Sequence, residues 1–109
     1  MLIGITMGDA SGLGPEILLR SVANDELSHP FLVFGDLDVL EFAQEKLELD
    51  VTFHPISSVD EVEAGRLNVL DCRQLKRADV TIGKISAKAG NAAVKYVQAA
   101  VEHLSLIHI

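Results

Sequence analysis

The chain has no tryptophan, one cysteine, one tyrosine and three prolines among its 109 residues, and aromatic side chains make up only 5% of it. A single cysteine, Cys72, excludes an internal disulfide framework and suits a reducing compartment. It follows an apolar run and reads as a small buried hydrophobe, not a nucleophile. Basic residues are also scarce: 9 Lys and Arg against 16 Asp and Glu leave a net charge of −7. Binding a phosphate backbone needs clustered Lys and Arg, so no nucleic-acid partner is expected. No run of about 20 apolar residues is present to span a bilayer, and no membrane partner is expected. The start, Met1 to Ile5, lacks a basic segment and breaks into Gly8-Asp9 too early for a secretory leader. The expected location is therefore the cytoplasm. Repeats and low-complexity tracts are absent, and 49% of the residues are hydrophobic, which fits one small globular unit.

What the chain does have is a glycine-rich turn between an apolar run and a helical one. Ile3-Gly4-Ile5-Thr6 leads into Met7-Gly8-Asp9-Ala10-Ser11-Gly12-Leu13-Gly14-Pro15-Glu16, and Ile17 to Val22 leaves it with helical character. Proline suits the first turn of a helix, because its missing N–H is one that a helix start leaves unpaired. Gly8 and Gly12 permit backbone angles closed to other residues. A strand, a tight turn and a helix start present backbone N–H groups to a ligand. The spacing is not that of the dinucleotide fingerprint, since no third glycine follows Gly12-Leu13-Gly14, and no Gly-Lys-Ser/Thr makes it a P-loop. On spacing alone the turn reads as a structural strand-to-helix connection, which supports an α/β domain and little else.

The residues themselves closely resemble the N-terminal signature of the 4-hydroxythreonine-4-phosphate dehydrogenase family, which usually reads Gly-Asp-Pro-Ala-Gly-Ile-Gly-Pro-Glu. Ala10-Ser11 stands here for Pro-Ala, and Leu13 for Ile. A second stretch, Gly83-Lys84-Ile85-Ser86-Ala87-Lys88-Ala89-Gly90, is similar to the family's Gly-x-x-Ser-x-x-x-Gly entry into a long helix. The resemblance implies a partial three-layer α/β fold with mainly parallel strands, like isocitrate and isopropylmalate dehydrogenases, cut short. It implies a metal-dependent dehydrogenase that oxidises 4-phosphooxy-L-threonine with NAD or NADP, followed by decarboxylation, in pyridoxal phosphate biosynthesis. The metal would be a divalent ion such as zinc, magnesium or cobalt, and the full-length enzyme a homodimer. Paralogues acting on threonate or erythronate 4-phosphate are an alternative that the Ala10-Ser11 departure leaves open. A non-catalytic phosphate- or nucleotide-binding α/β module is an alternative of another class.

From the family signature, Asp9, Gly12, Gly14 and Glu16 are the residues carried over as one wall of a cofactor or substrate cleft. Asp9 either caps the turn or contacts ligand, and Glu16 suits the helix dipole whatever its function. Gly12→Val is expected to misfold the turn. No catalytic or metal residue of the family finds a position in this chain. The four histidines, His29, His54, His103 and His108, form no pair at a helical ligand spacing.

Taken in order, Phe31 to Gly35 is a continuous apolar run, which predicts a strand buried on both faces. Asp36 is placed to cap a helix to about Leu47, with Val39, Leu40, Ala43 and Leu47 on its apolar face. Val51-Thr52-Phe53 reads as a strand ending near His54-Pro55, and Leu67 to Asp71 as another. This alternation predicts a parallel sheet with right-handed crossovers. Ser57 to Arg66 reads as a short helical turn or loop, and Gln74 to Asp79 as an exposed connection. From Ser86 or Gly90 onward the pattern is helical, with Val94, Val97, Val101 and Leu104 as the packing stripe. Residues 1–103 are expected to be the N-terminal part of the dehydrogenase, inactive alone. Leu104 to Ile109, which follow without a cap, turn or return strand, are expected to be a non-native read-through tail.

Overall fold

The computed structural model describes residues 3–10, 12, 14–24, 30–64, 66–80 and 86–105, with Leu104 and Ser105 described by their backbone alone. In chain order these form β1 (Ile3–Thr6), α1 (Gly14–Ala23), β2 (Phe31–Gly35), α2 (Leu37–Leu47), β3 (Phe53–Ile56), β4 (Leu67–Asp71) and α3 (Ala87–Ser105). Single 3₁₀ turns lie at Val59–Glu61 and Arg77–Asp79. The strands make one fully parallel sheet in the order β1-β2-β4-β3. The α/β architecture expected from the alternation is the one observed.

All five residues of β2 are buried, as a parallel strand covered on both faces requires. The steps from β1 to β2 and from β2 to β3 run the same way across the sheet. Right-handed crossovers therefore set α1 and α2 on one face, where they pack together. The other face carries α3, which lies over β1 and β2. Asn68 is fully buried within β4 and fully used. Its amide donates to the carbonyls of Phe31, Glu63 and Arg66 at 2.9–3.0 Å and accepts from the Glu63 N–H, tying the turn before β4 to the start of β2.

Several details differ from expectation, each for a physical reason. The third strand starts at Phe53 and runs through Pro55. It is the sheet's edge strand, and a proline there forfeits no ladder bond when its nitrogen faces outward. The inward face of α3 is Ala89, Ala92 and Tyr96, whereas Val94, Val97 and Val101 are more than half exposed. Small alanines let the helix axis approach the sheet, and the tyrosine reaches beneath it. The side chain of Leu104 lies outside the described residues. Ser86 begins α3: its Oγ accepts the Ala89 N–H at 3.3 Å and its carbonyl the Gly90 N–H at 3.0 Å. Asp36 stands at the N-cap of α2, yet its carboxylate makes no cap bond. The Leu37 N–H donates instead to Asp71 Oδ1, across from the end of β4. The helix α3 continues to Ser105, beyond position 103.

Candidate functional site

The glycine turn leaves the carboxyl end of β1. Met7 plugs it: the side chain is buried, and the Met7 N–H donates to the Phe34 carbonyl at 3.0 Å. Gly8 adopts φ +75°, in the left-handed region that glycine enters freely. A Cβ on Gly14 would run into the Met7 carbonyl, and one on Gly35 would sit 2.7 Å from the Met7 Cβ. Gly12 is different. Its φ is not left-handed, its N–H donates to the Asp9 carbonyl at 3.0 Å, and a Cβ would meet that oxygen at an ordinary 3.5 Å. The turn therefore requires glycine at Gly8 for its φ and at Gly14 for its approach to the Met7 carbonyl, whereas a Cβ on Gly12 finds ordinary contact.

Beside the turn lies a cavity of about 290 Å³ lined by Ile5, Thr6, Met7, Gly14, Ile17, Leu18 and Ser21. Of the residues expected to form a cleft wall, Gly14 lines it, while Asp9 and Glu16 do not. Asp9 is exposed. Glu16 pairs with Arg20 one helical turn on, at 3.0 Å, an exposed ion pair of small energetic weight. Asp9 and Gly12 lie on the turn, and Gly14 and Glu16 in the first turn of α1.

A second cluster, which the sequence reading passed over as an exposed connection, lies where β2 and β4 end. Five successive backbone N–H groups, from Arg73 to Arg77, each donate to an aspartate. Arg73 donates to Asp71 Oδ1 at 3.2 Å, Gln74 and Leu75 to the two Asp36 oxygens at 2.7 and 3.0 Å. Lys76 donates to Asp79 Oδ2 at 2.9 Å and Arg77 to Asp38 Oδ2 at 2.7 Å. Tyr96, from α3, adds its hydroxyl to Asp36 Oδ2. Bonds to ionised acceptors are about twice as strong as neutral ones, so the loop is held from end to end. Leu75 is buried at its centre, while Arg73, Gln74 and Lys76 face solvent. Arg73 has φ 55°, left-handed without being glycine. The sequence signal for this loop was an acid at or just after each of two strand ends, Asp36 and Asp71.

The carboxylates differ in their electrostatics. Burial pushes Asp36 above its ordinary value, against the hydrogen bonds from Tyr96, Gln74 and Leu75 that pull it down. Asp38 is held low by the backbone and guanidinium of Arg77, and Asp79 by the Lys76 N–H and the Lys88 ammonium. Cys72, half-buried beside them, has its thiol pushed up to about 11, mainly by burial and then by Asp36 and Asp71. It stays an unreactive thiol, as expected. Tyr96 is raised by burial and by Asp36 and keeps its proton.

Among the described residues, no three His, Cys, Asp or Glu side chains gather to hold a metal ion. His54 Nε2 lies 3.1 Å from the Glu61 carbonyl, and the His103 ring meets the Phe34 ring at a tilt of 43°, 5.9 Å between centroids, on another element. His29 and His108 lie outside the described residues. The described residues therefore offer no ligand set for a divalent metal.

Parallel strands with helices on both faces, and polar loops gathered at the carboxyl edge, define an open-sheet α/β domain, a class that takes its ligands at that edge. The chain belongs to the family of the pyridoxal phosphate biosynthetic protein PdxA, whose model matches residues 26–108. It is 41% identical over 107 residues to a protein of Oceanobacillus iheyensis that carries the provisional designation D-threonate 4-phosphate dehydrogenase, covering 93% of this chain and 32% of that one. It is 36% identical over 104 residues to the D-threonate 4-phosphate dehydrogenase of Cupriavidus necator, covering 92% and 31%. A solved 4-hydroxythreonine-4-phosphate dehydrogenase from Burkholderia phymatum superposes with a TM-score of 0.82 at 35% identity, over 93% of this chain and 32% of that one. The chain thus spans about a third of the length of the relatives it matches.

Proposed function

We propose that residues 1–103 are the N-terminal part of a nicotinamide-linked dehydrogenase that oxidises a phosphorylated four-carbon substrate at a secondary alcohol. The observation that carries this is the family match over residues 26–108, together with the dehydrogenase names of relatives aligned along nearly the whole chain. Two relatives named for D-threonate 4-phosphate, at 41% and 36% identity, favour that substrate. The family description and the Burkholderia phymatum structure favour the second reading, 4-phosphooxy-L-threonine and pyridoxal phosphate biosynthesis. The two substrates differ in a hydroxyl against an amino group.

In this reading the cofactor is NAD or NADP, which carries the hydride, and a divalent metal such as zinc, magnesium or cobalt supplies a Lewis acid from residues outside this chain. The enzyme works in the cytoplasm as a homodimer. The chain contributes a scaffold: the Met7–Gly14 turn and the Arg73–Arg77 loop form the carboxyl edge against which a cleft closes. A protein of the relatives' length that begins with this sequence is expected to form NADH with one of the two phosphorylated substrates, followed spectrophotometrically. The 109-residue chain alone is expected to form none. Turnover by the short chain, or by neither substrate in the long one, overturns the reading.

A further inference from the structure

We infer that the cleft between the carboxyl ends of β2 and β4 is an anion subsite, in which Arg73 and Lys76 take the phosphate group of a small molecule. Three observations converge there. The cleft encloses about 600 Å³ and has Arg73, Lys76 and Lys88 with Asp38, Asp71 and Asp79 in its walls. All three acids are already engaged. Asp38 holds the Arg77 N–H and Nε, Asp71 the Leu37 and Arg73 N–H groups, and Asp79 the Lys76 N–H and the Lys88 ammonium. Neither Arg73 nor Lys76 forms a direct ion pair among the described residues, and the Lys76 ammonium acts on Asp38 and Asp79 only through space.

The second observation is topological. The chain leaves β2 toward α2 on one face and β4 toward α3 on the other, so these adjacent strands bound the switch point of the sheet. Open parallel sheets take ligands in the crevice outside such a point. The third is conformational. Arg73 is held in a left-handed conformation that costs a non-glycine residue energy, and such costs gather at ligand sites. With their N–H groups bound to carboxylates, residues 73–77 form a fixed platform. Ordering entropy is thereby spent in folding rather than in binding. A guanidinium fork beside an ammonium suits a phosphate, which accepts bidentately from arginine and pairs with lysine as a point charge.

The phosphate could belong to a monoester substrate or to a dinucleotide. Its assignment to the four-carbon substrate rests on the dehydrogenase reading, whereas the subsite itself does not. The test titrates the isotope-labelled 109-residue chain with inorganic phosphate at constant ionic strength, reading amide and side-chain shifts by NMR. Saturable shifts confined to Arg73–Arg77 are expected. Arg73→Gln with Lys76→Gln should weaken binding at least about tenfold, while Arg66→Gln, which removes an ion-paired surface cation, leaves it unchanged. Lys76→Gln alone keeps the left-handed residue intact and should give part of the loss. Absence of saturable shifts, or equal binding by the double variant, overturns the subsite. Parallel titrations with O-phospho-L-threonine and with NAD separate the sources: displacement by the monoester assigns it to substrate, displacement by NAD alone to the dinucleotide. In a protein of the relatives' length, the double variant should raise KM for the phosphorylated substrate and spare kcat. Phosphate binding without any turnover would sink the dehydrogenase reading and keep the subsite. Turnover with an unchanged KM and no phosphate shifts would do the reverse.

Discussion

Tyr96, at the middle of α3, donates its hydroxyl hydrogen to the Asp36 carboxylate at the end of β2. Both are essentially excluded from solvent, at 0% and 1% exposure. The bond joins the helix on one face of the sheet to the loop that follows β4, because Asp36 also holds the N–H groups of Gln74 and Leu75. Tyr96→Phe is expected to cost about 1–2 kcal/mol, and Asp36→Ala, which strands three donors, about 3–5 kcal/mol. Urea unfolding checks both, and equal costs would deny Asp36 its role as the shared acceptor.

The same carboxylate sets a pH dependence. Burial raises the Asp36 pKa above 3.8, so the folded state binds its proton more tightly than the unfolded chain does. Its contribution is full below 3.8 and is lost as pH rises through the raised native value. The stability difference between wild type and Asp36→Asn should therefore widen in favour of wild type as pH falls from about 7 toward 4. Urea midpoints across that range decide it; a gap that narrows on acidification contradicts the assignment.

The glycines of the turn should separate sharply. Gly14→Ala and Gly35→Ala each press a methyl group against Met7 and are expected to lose about 1–3 kcal/mol. Gly12→Ala meets only ordinary contact and should stay within about 0.5 kcal/mol. Thermal or urea midpoints of the three variants give the comparison.

Cys72 should alkylate slowly. With its thiol pushed up to about 11, its thiolate fraction near neutral pH is about two orders of magnitude below that of an unperturbed cysteine. The iodoacetamide rate should climb about tenfold per pH unit until the thiol titrates. A rate matching that of a free thiol would show that the burial does not persist in solution.

On α3, Ala92 and Val97 should respond in opposite senses to size and polarity. Ala92→Leu overfills the buried face and is expected to cost about 1–3 kcal/mol. Val97→Lys, on the exposed face, should change the stability of this chain by less than about 0.5 kcal/mol.

The parts legible in the sequence were those where hydropathy and burial coincide. Phe31–Gly35 and Leu67–Asp71 are continuous apolar runs because interior parallel strands are covered on both sides. The face of α3 was misjudged because alanine carries little hydropathic signal, although its smallness brings helix and sheet together. The valines that dominate the periodicity are left outside. Asp36 looked like a helix cap because position and residue type both agree, and only the distant Gln74, Leu75 and Tyr96 redirect it. The Arg73–Arg77 loop has no periodicity, since its shape is dictated by carboxylates from 36, 38, 71 and 79. The glycine turn identified the family, while the steric need for Gly14 rested on a carbonyl that no spacing rule locates.

That aspartate-held loop divides labour between two sets of positions. Its backbone course is written by the acids, with one further bond from the Gln74 amide to the Cys72 carbonyl at 3.0 Å, while Arg73 and Lys76 hold it through their backbone N–H groups alone. Exchanging the Arg73 and Lys76 side chains alters what the edge of the sheet presents while every hydrogen bond that holds the loop is kept. The scaffold and the charge it displays are thus set by different residues of the same loop.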